Sequence, residues 1–418
     1  MSESRQSRSE RGPGTDVSRR RFLAGTGVAA FGATVMRPAL VRGAAANEKI
    51  DIGLVGCGGR GSWIAGLFQQ HGGYNLVACA DYFQDKVDAA GEKYGVKPAA
   101  RFTTLSGYKR LLDQKLDAVV IISPPYFHPI HASAGVAAGK HVYVAKPIAV
   151  DVPGCHTIGT SGKKATEKGL CFLVDFQTRA DKYYIEALQR VHAGAIGKYA
   201  FGESTYHAGV PWTRQIKYAR EAATNPESRL RAWGCDQILS GDIITEQNIH
   251  TLDVASWIMG TPPECAFGTG GRKVRDYGNC WDTFSVTFKY PDNIGIAFSS
   301  RQFNGYGTKP EGIRNRMFGT DGVLETQYGG EVMIRGKNFW RGGSSPGIYK
   351  EGAVTNIATF HKSILAGDHA NPTVPLSVRS NLVTILGRTA AYRGEVVHWD
   401  QLLAMNEHLE ADLKGLKS

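Results

Sequence analysis

Residues 49–61, KIDIGLVGCGGRG, open as a short apolar strand and close on the spacing Gly56-x-Gly58-x-x-Gly61. The next ten residues, SWIAGLFQQH, carry helical periodicity, so the glycines lie between a strand and a helix. In that setting Gly56 permits the tight turn, Gly58 lets backbone N–H groups approach a pyrophosphate, and Gly61 lets helix pack on strand. The loop residues Gly59 and Arg60 complete the cradle, and the helix N-terminus, with its unpaired N–H groups, favours the phosphates. A second strand, YNLVACAD, ends in Asp81, twenty residues beyond Gly61, where a carboxylate holds a ribose 2′-hydroxyl and repels a 2′-phosphate. The stretch therefore predicts a dinucleotide site that takes NAD in preference to NADP.

The pattern continues outward. LDAVVIIS, HVYVAKPI and LCFLVDF read as buried strands, and HASAGVAAGK and GCHTIGTSGKKATEKG read as the helices between them. Strand–helix alternation of this kind implies right-handed parallel crossovers and a doubly wound parallel sheet. After about residue 178 the texture changes to β-branched and aromatic alternation, as in FGESTYHA, WDTFSVTFKY, NIGIAFSSRQF and NRMFGTDGVLETQ, separated by glycine and Pro-Asp turns. The expected fold class is α/β: a doubly wound parallel domain over residues 47–177, then an α+β domain with a large, mostly antiparallel sheet over 178–418.

The 418 residues are enough for two domains with substantial cores. The formal charge of +11 is uneven: residues 1–46 hold eight arginines against three acids, a net of +5, which leaves +6 spread thinly over the rest. No basic helix or stacked-aromatic strip accompanies it, which argues against nucleic acid as a partner. The opening residues instead resemble a twin-arginine export signal: Ser18-Arg19-Arg20-Arg21-Phe22-Leu23, a mild Gly/Ala-rich apolar run, and Ala44-Ala45-Ala46 as a cleavage site. Residues 1–46 are thus expected to be a signal peptide read by the export machinery, with a periplasmic or otherwise exported product not held in the membrane. The seven cysteines contain no CxxC pair and suggest neither a disulfide framework nor a zinc ribbon.

SPPYFHPIHASAGVAAGKHVYVAKP, residues 123–147, resembles the signature of the Gfo/Idh/MocA oxidoreductases, relatives of glucose–fructose oxidoreductase and inositol dehydrogenase. The resemblance runs from about residue 48 to the C-terminus and includes FQTRADKYYIEALQRVHAGAIGKY, FGTDGVLE and FHKSILAGDHANP. It implies a Rossmann domain for the first half, Ser123, Pro124, His128 and Lys146 at the cofactor, and a homodimer or homotetramer. His128 is expected at the nicotinamide ribose, and His131 on a helix surface. At Ala145 the chain departs from the family, which has Glu before Lys-Pro, so a carboxylate expected at the nicotinamide end is missing.

GDIITEQNIHTLDVASW, residues 241–257, spaces Glu246, His250 and Asp253 so that one helix would present all three on one face. The residues alone fit a metal site, a paired piece of core, or an acid–base group. A metal site needs further ligands, and no second His cluster supplies them, so no metal is expected. The resemblance favours catalysis: His250 and Asp253 align with the family's His and second Asp, while Glu246 replaces the first Asp.

Oxidising a secondary alcohol requires removal of its hydroxyl proton as hydride leaves carbon for nicotinamide. His250 is the expected base, Glu246 or Asp253 its orienting carboxylate, and Lys146 the donor that stabilises the developing alkoxide. Arg179, Trp233 and Asp253 are expected to contact substrate, with PWTRQIKYAREAATNPESRLRAW (211–233) shaping its pocket. The sequence thus points to an exported, NAD-dependent oxidoreductase acting on a sugar, glycoside or cyclitol, with a tightly held cofactor. Cleavage or epimerisation by transient oxidation would use the same site, and a noncatalytic sugar-binding protein is the third reading.

Overall fold

Strand β1 (Ile50–Val55) buries Ile52, Leu54 and Val55 and ends where Gly56 adopts φ +95°, a left-handed turn open to glycine. The computed structural model describes residues 49–309 and 311–418; the expected signal peptide lies outside them. Around β1 run β2 (Tyr74–Ala80), β3 (Arg101–Phe102), β4 (Ala118–Ile121), β5 (His141–Ala145) and β6 (Phe172–Asp175). They form one parallel sheet in the order β3-β2-β1-β4-β5-β6, the Rossmann order, whose chain reverses direction between β1 and β4. At that switch point the carboxyl ends of the strands open a crevice. The apolar runs are buried on both faces, as β4 shows with all four residues covered.

A second sheet has nine strands: β7 (Tyr199–Ala208), β8 (Cys265–Gly271), β9 (Thr283–Tyr290), β10 (Ile294–Gln302), β11 (Gly312–Gly319), β12 (Gly322–Gln327), β13 (Glu331–Gly336), β14 (Trp340–Ser344) and β15 (Val397–His398). Pairing is antiparallel except for β7 beside β10. One face is packed and the other open: along β9, Phe284, Val286, Phe288 and Tyr290 are buried while Ser285, Thr287 and Lys289 are exposed.

The helix Thr373–Arg393, buried on most of its circumference, touches β6 of the first sheet and β8 and β9 of the second. It also fixes the loop after β5. Asn381 accepts from the Ile148 N–H at 3.2 Å and donates to the Ala149 carbonyl at 3.1 Å, directly behind Lys146. Among the described residues no helix is long and apolar enough to cross a membrane.

The expected single helix over 241–257 is two helices, Asp242–Glu246 and Ile249–Met259. Both Gln247 N–H and Asn248 N–H reach back to the Ile243 carbonyl, so the ladder ends there and a new one starts from Asn248. Glu246, His250 and Asp253 consequently do not share one helical face.

Candidate active site

Gly56, Gly58, Gly59, Asp81, Ser123 and Pro124 line a crevice of about 450 Å³ at the ends of β1, β2 and β4. A Cβ on Gly61 would stand 1.7 Å from the Gly56 carbonyl oxygen, so only glycine lets this helix lie so close to the strand turn. A Cβ on Gly58 or Gly59 would meet nothing within 4 Å. That open space beside the N-terminus of helix Gly59–His71 fits a pyrophosphate. Asp81 braces the same loop: it accepts from Cys57 N–H at 2.7 Å and from Phe83 N–H at 3.0 Å. Burial raises its pKa.

Two histidines behave differently from expectation. His128 is 1% exposed, with Nδ1 2.7 Å from the Pro147 carbonyl and Nε2 2.7 Å from the Ser123 carbonyl. Two carbonyl partners favour a doubly protonated ring, but burial outweighs them and brings its pKa down to about 4. Its ring ties the end of β4 to the turn after Lys146 and has no nitrogen left for a ribose. His131 is not on a surface; it is buried, and its Nδ1 lies 3.0 Å from Ser123 Oγ on the crevice wall.

Lys146 follows β5 and precedes the cis peptide to Pro147. Its ammonium donates to the Glu246 main-chain carbonyl at 2.5 Å and lies 3.3 Å from Glu246 Oε1, with both side chains largely buried. Burial lowers the Lys146 pKa, against the opposing pull of Glu246. His250, 9% exposed, packs its ring 5.2 Å from that of Tyr328 and leaves Nδ1 without a protein partner. Burial first, then the Lys146 and Arg60 cations, hold its pKa well below 6.5, so the ring is neutral at physiological pH. The carboxylate expected to orient His250 is absent: Glu246 holds Lys146 instead.

Arg60 does not face the glycine cradle. Its Nη2 pairs with Asp175 Oδ2 at 2.8 Å, and its guanidinium lies 4.7 and 4.8 Å from the Trp63 and Tyr349 rings. Asp175 is the register partner of Ala145 across β5 and β6. A carboxylate therefore does stand at this end of the sheet, one strand over from the position where the family has Glu. Asn356 Nδ2 donates to its other oxygen at 2.9 Å.

Arg179 and Asp253 are withdrawn from any substrate. Arg179 Nε and Nη2 grip the Asp253 carboxylate at 2.9–3.0 Å, and the side chains are 9% and 0% exposed. Trp257 lies against the same guanidinium at 4.9 Å. Breaking such a pair leaves a buried cation, so Asp253→Asn is expected to lower unfolding free energy by about 3–5 kcal/mol in a urea titration. Substrate KM should stay near the wild-type value; a KM rise without a stability loss would contradict this structural role. Trp233 is also displaced from its expected place: it lines the dinucleotide crevice together with Arg214, Gln215, Tyr218, Leu230 and Arg231, so the 211–233 stretch walls the cofactor side.

Several buried polar groups lack any protein partner: Arg60 Nη1, Tyr143 and Tyr328 hydroxyls, both amide atoms of Gln177 and of Asn248, and His250 Nδ1. Each such group costs about 1–3 kcal/mol unless something bonds it. Sequence reasoning passes over Asp175 and Tyr328; the only signal for Asp175 is its place at the end of a strand.

A family model described as "Oxidoreductase family, NAD-binding Rossmann fold" matches residues 50–176, and one for the GFO/IDH/MocA C-terminal domain matches 184–325. The chain belongs to the GFO/IDH/MocA oxidoreductases. By the first of these models it is an oxidoreductase, and its Rossmann domain is an NAD-binding one. Myo-inositol 2-dehydrogenase of Thermotoga maritima is 26% identical over 328 residues, 76% of this chain and 89% of that protein. Among solved structures, scyllo-inositol dehydrogenase from Lactobacillus casei with bound NAD(H) and scyllo-inositol has the same fold, with TM-score 0.66 and 21% identity over 84% of this chain and 100% of that one. An α-N-acetylgalactosaminidase of Shewanella oneidensis is 29% identical over 170 residues, 40% of this chain and 36% of that protein.

Proposed function

We propose that this GFO/IDH/MocA chain oxidises a secondary alcohol of a sugar, glycoside or cyclitol after export by the twin-arginine pathway, with NAD carried as a resident group. The observation that supports it best is the convergence of Lys146, Glu246 and neutral His250 beside buried polar atoms that a polyhydroxylated ligand would satisfy. In this reading the His250 imidazole takes the hydroxyl proton. The Lys146 ammonium has three N–H groups; two face Glu246, and the third is available to the same substrate oxygen as negative charge grows. Glu246 keeps that ammonium aimed. Gly58, Gly59 and Asp81 would hold the dinucleotide, whose nicotinamide supplies the hydride acceptor when bound.

The likeness to inositol 2-dehydrogenases favours a cyclitol or pyranose ring. Redox-assisted glycoside cleavage is the second reading, supported by the stretch shared with the Shewanella glycosidase. The exposed sheet face, with Phe201 and Phe267 about half exposed and Phe201 stacked on Phe318 at 4.5 Å, supports a homodimer or homotetramer. To test the function, the purified protein is mixed with a panel of cyclitols, sugars and glycosides while NADH absorbance and glycoside cleavage are followed. NADH accumulation with a free polyol supports the dehydrogenase; cleavage with no net NADH supports the second reading; neither, with NAD present, rejects both.

A further inference from the structure

The crevice beside Asp81 is roofed by two segments far from it in sequence. Residues 212–233 form one wall, through short helices Ile216–Glu221 and Pro226–Arg231. This wall is fastened to the loop after β2. Arg231 Nη2 pairs with Asp85 Oδ1 at 2.8 Å, its guanidinium lies 3.7 Å from the Phe83 ring centre, and Tyr82 donates to Glu227 Oε1 at 3.0 Å. The C-terminal residues 406–418 then cross over the outside. Lys417 N–H donates to the Tyr82 hydroxyl at 3.1 Å, Leu105 N–H donates to the Lys417 carbonyl at 3.0 Å, and Ala411 N–H donates to the Tyr126 hydroxyl at 3.2 Å. Arg229 Nη1 joins the two segments by donating to the Asp412 carbonyl at 3.0 Å. Leu230, Leu239 and Ala411 bury together under this strap.

One crevice residue is left over. The Arg214 side chain makes no hydrogen bond or ion pair with any described residue, yet it lines the same crevice as Gly58 and Gly59. The loop's own arginine, Arg60, is occupied by Asp175, and the other two cations of the crevice wall, Lys86 and Arg231, both pair with Asp85. Among the described residues that line the crevice, Arg214 is therefore the cation left for a pyrophosphate on the glycine cradle.

We infer that residues 212–233, strapped down by residues 406–418, are a fixed cover over the adenosine half of NAD, and that Arg214 pairs with the dinucleotide's phosphates. The cover makes the resident cofactor of the proposed function a matter of geometry: the dinucleotide leaves only when the Arg231–Asp85 latch and the Tyr82 contacts open. This rests on the reading that NAD is resident, and it is independent of which alcohol is oxidised.

The test measures exchange of bound NAD for isotopically labelled NAD in the full chain, without substrate. Wild-type protein is expected to keep its NAD through gel filtration. Arg231→Ala and Arg214→Gln should each exchange about tenfold faster or more, since each removes a charge-assisted contact. Tyr82→Phe, which loses only two hydrogen bonds, should exchange severalfold faster and guards against loss of fold in the larger changes. Wild-type exchange rates in Arg231→Ala, Arg214→Gln and Tyr82→Phe, or wild-type protein that purifies free of NAD, would overturn the cover. Retained NAD with no polyol oxidised would support the cover and reject the substrate reading alone.

Discussion

Lys146→Ala is expected to lower kcat by about 10²–10³, the loss that follows removal of one preorganised donor to a developing oxyanion. His250→Ala should lower it by about 10²–10⁴, the usual range for a positioned acid–base group. The two act on one oxygen in the proposed reaction, so the double variant should lose far less than the product of the single effects. Each variant should still release about as much NAD on denaturation as wild type, because neither side chain braces the glycine cradle. Glu246→Gln is the milder change: the main-chain carbonyl that takes the Lys146 N–H at 2.5 Å remains, and only the contact at 3.3 Å loses its charge. The pH profile gives a further check. His250 is held well below 6.5 by burial and by two neighbouring cations, so any acid limb of kcat/KM that depends on it should fall well under pH 6.5. Near-wild-type turnover in both alanine variants would remove these residues from the chemistry and favour a binding role.

The parts of this molecule that local sequence rules control were legible. The strand–glycine–helix start needs only a hydrophobic run, three glycines and a helical period, and β1, Gly61 and helix Gly59–His71 follow them. The strands of the second half declared themselves by alternation, as β9 does with four buried and four less buried residues in turn. What local rules miss is pairing across distance. Arg179 and Asp253 are 74 residues apart, and nothing in either segment says that one neutralises the other. Asp175 restores a carboxylate next to Ala145 only because β5 and β6 align these two residues in register. The two-residue edge strand β3 is too short to carry a period. The break at Gln247–Asn248 is hidden for a different reason: helical spacing continues through a segment whose hydrogen-bond ladder stops. Glu246 consequently faces Lys146 rather than the histidine with which its spacing grouped it.

Acidification is expected to unfold the protein well before its carboxylates are protonated. Burial brings His128 and His141 to about 4 and His131 to about 3, while the same side chains in an unfolded chain titrate near 6.5. A folded pKa below the unfolded one means that the unfolded chain binds the extra proton. The stability these histidines contribute is therefore complete above about pH 6.5 and is lost as pH falls towards the folded values. Within that window each group costs about 1.4 kcal/mol per pH unit, so three of them remove about 4 kcal/mol per unit. Total stabilities of domains are about 5–15 kcal/mol, so a fall from pH 6.5 to 5 takes away a large share. Burial also raises Asp81 and Asp242, which works the other way because the fold favours their protonated forms, but two carboxyls do not offset three histidines. Urea midpoints at about pH 7.5, 6 and 5 should drop steeply over the lower two steps. His131→Gln should flatten the slope by about one proton, or about 1.4 kcal/mol per pH unit, even if it lowers stability at neutral pH through the lost Ser123 contact. A midpoint that holds level down to pH 5 would mean that these rings are hydrated or charged in the fold, and the tie between β4 and the Lys146 turn would then have to be built on an imidazolium.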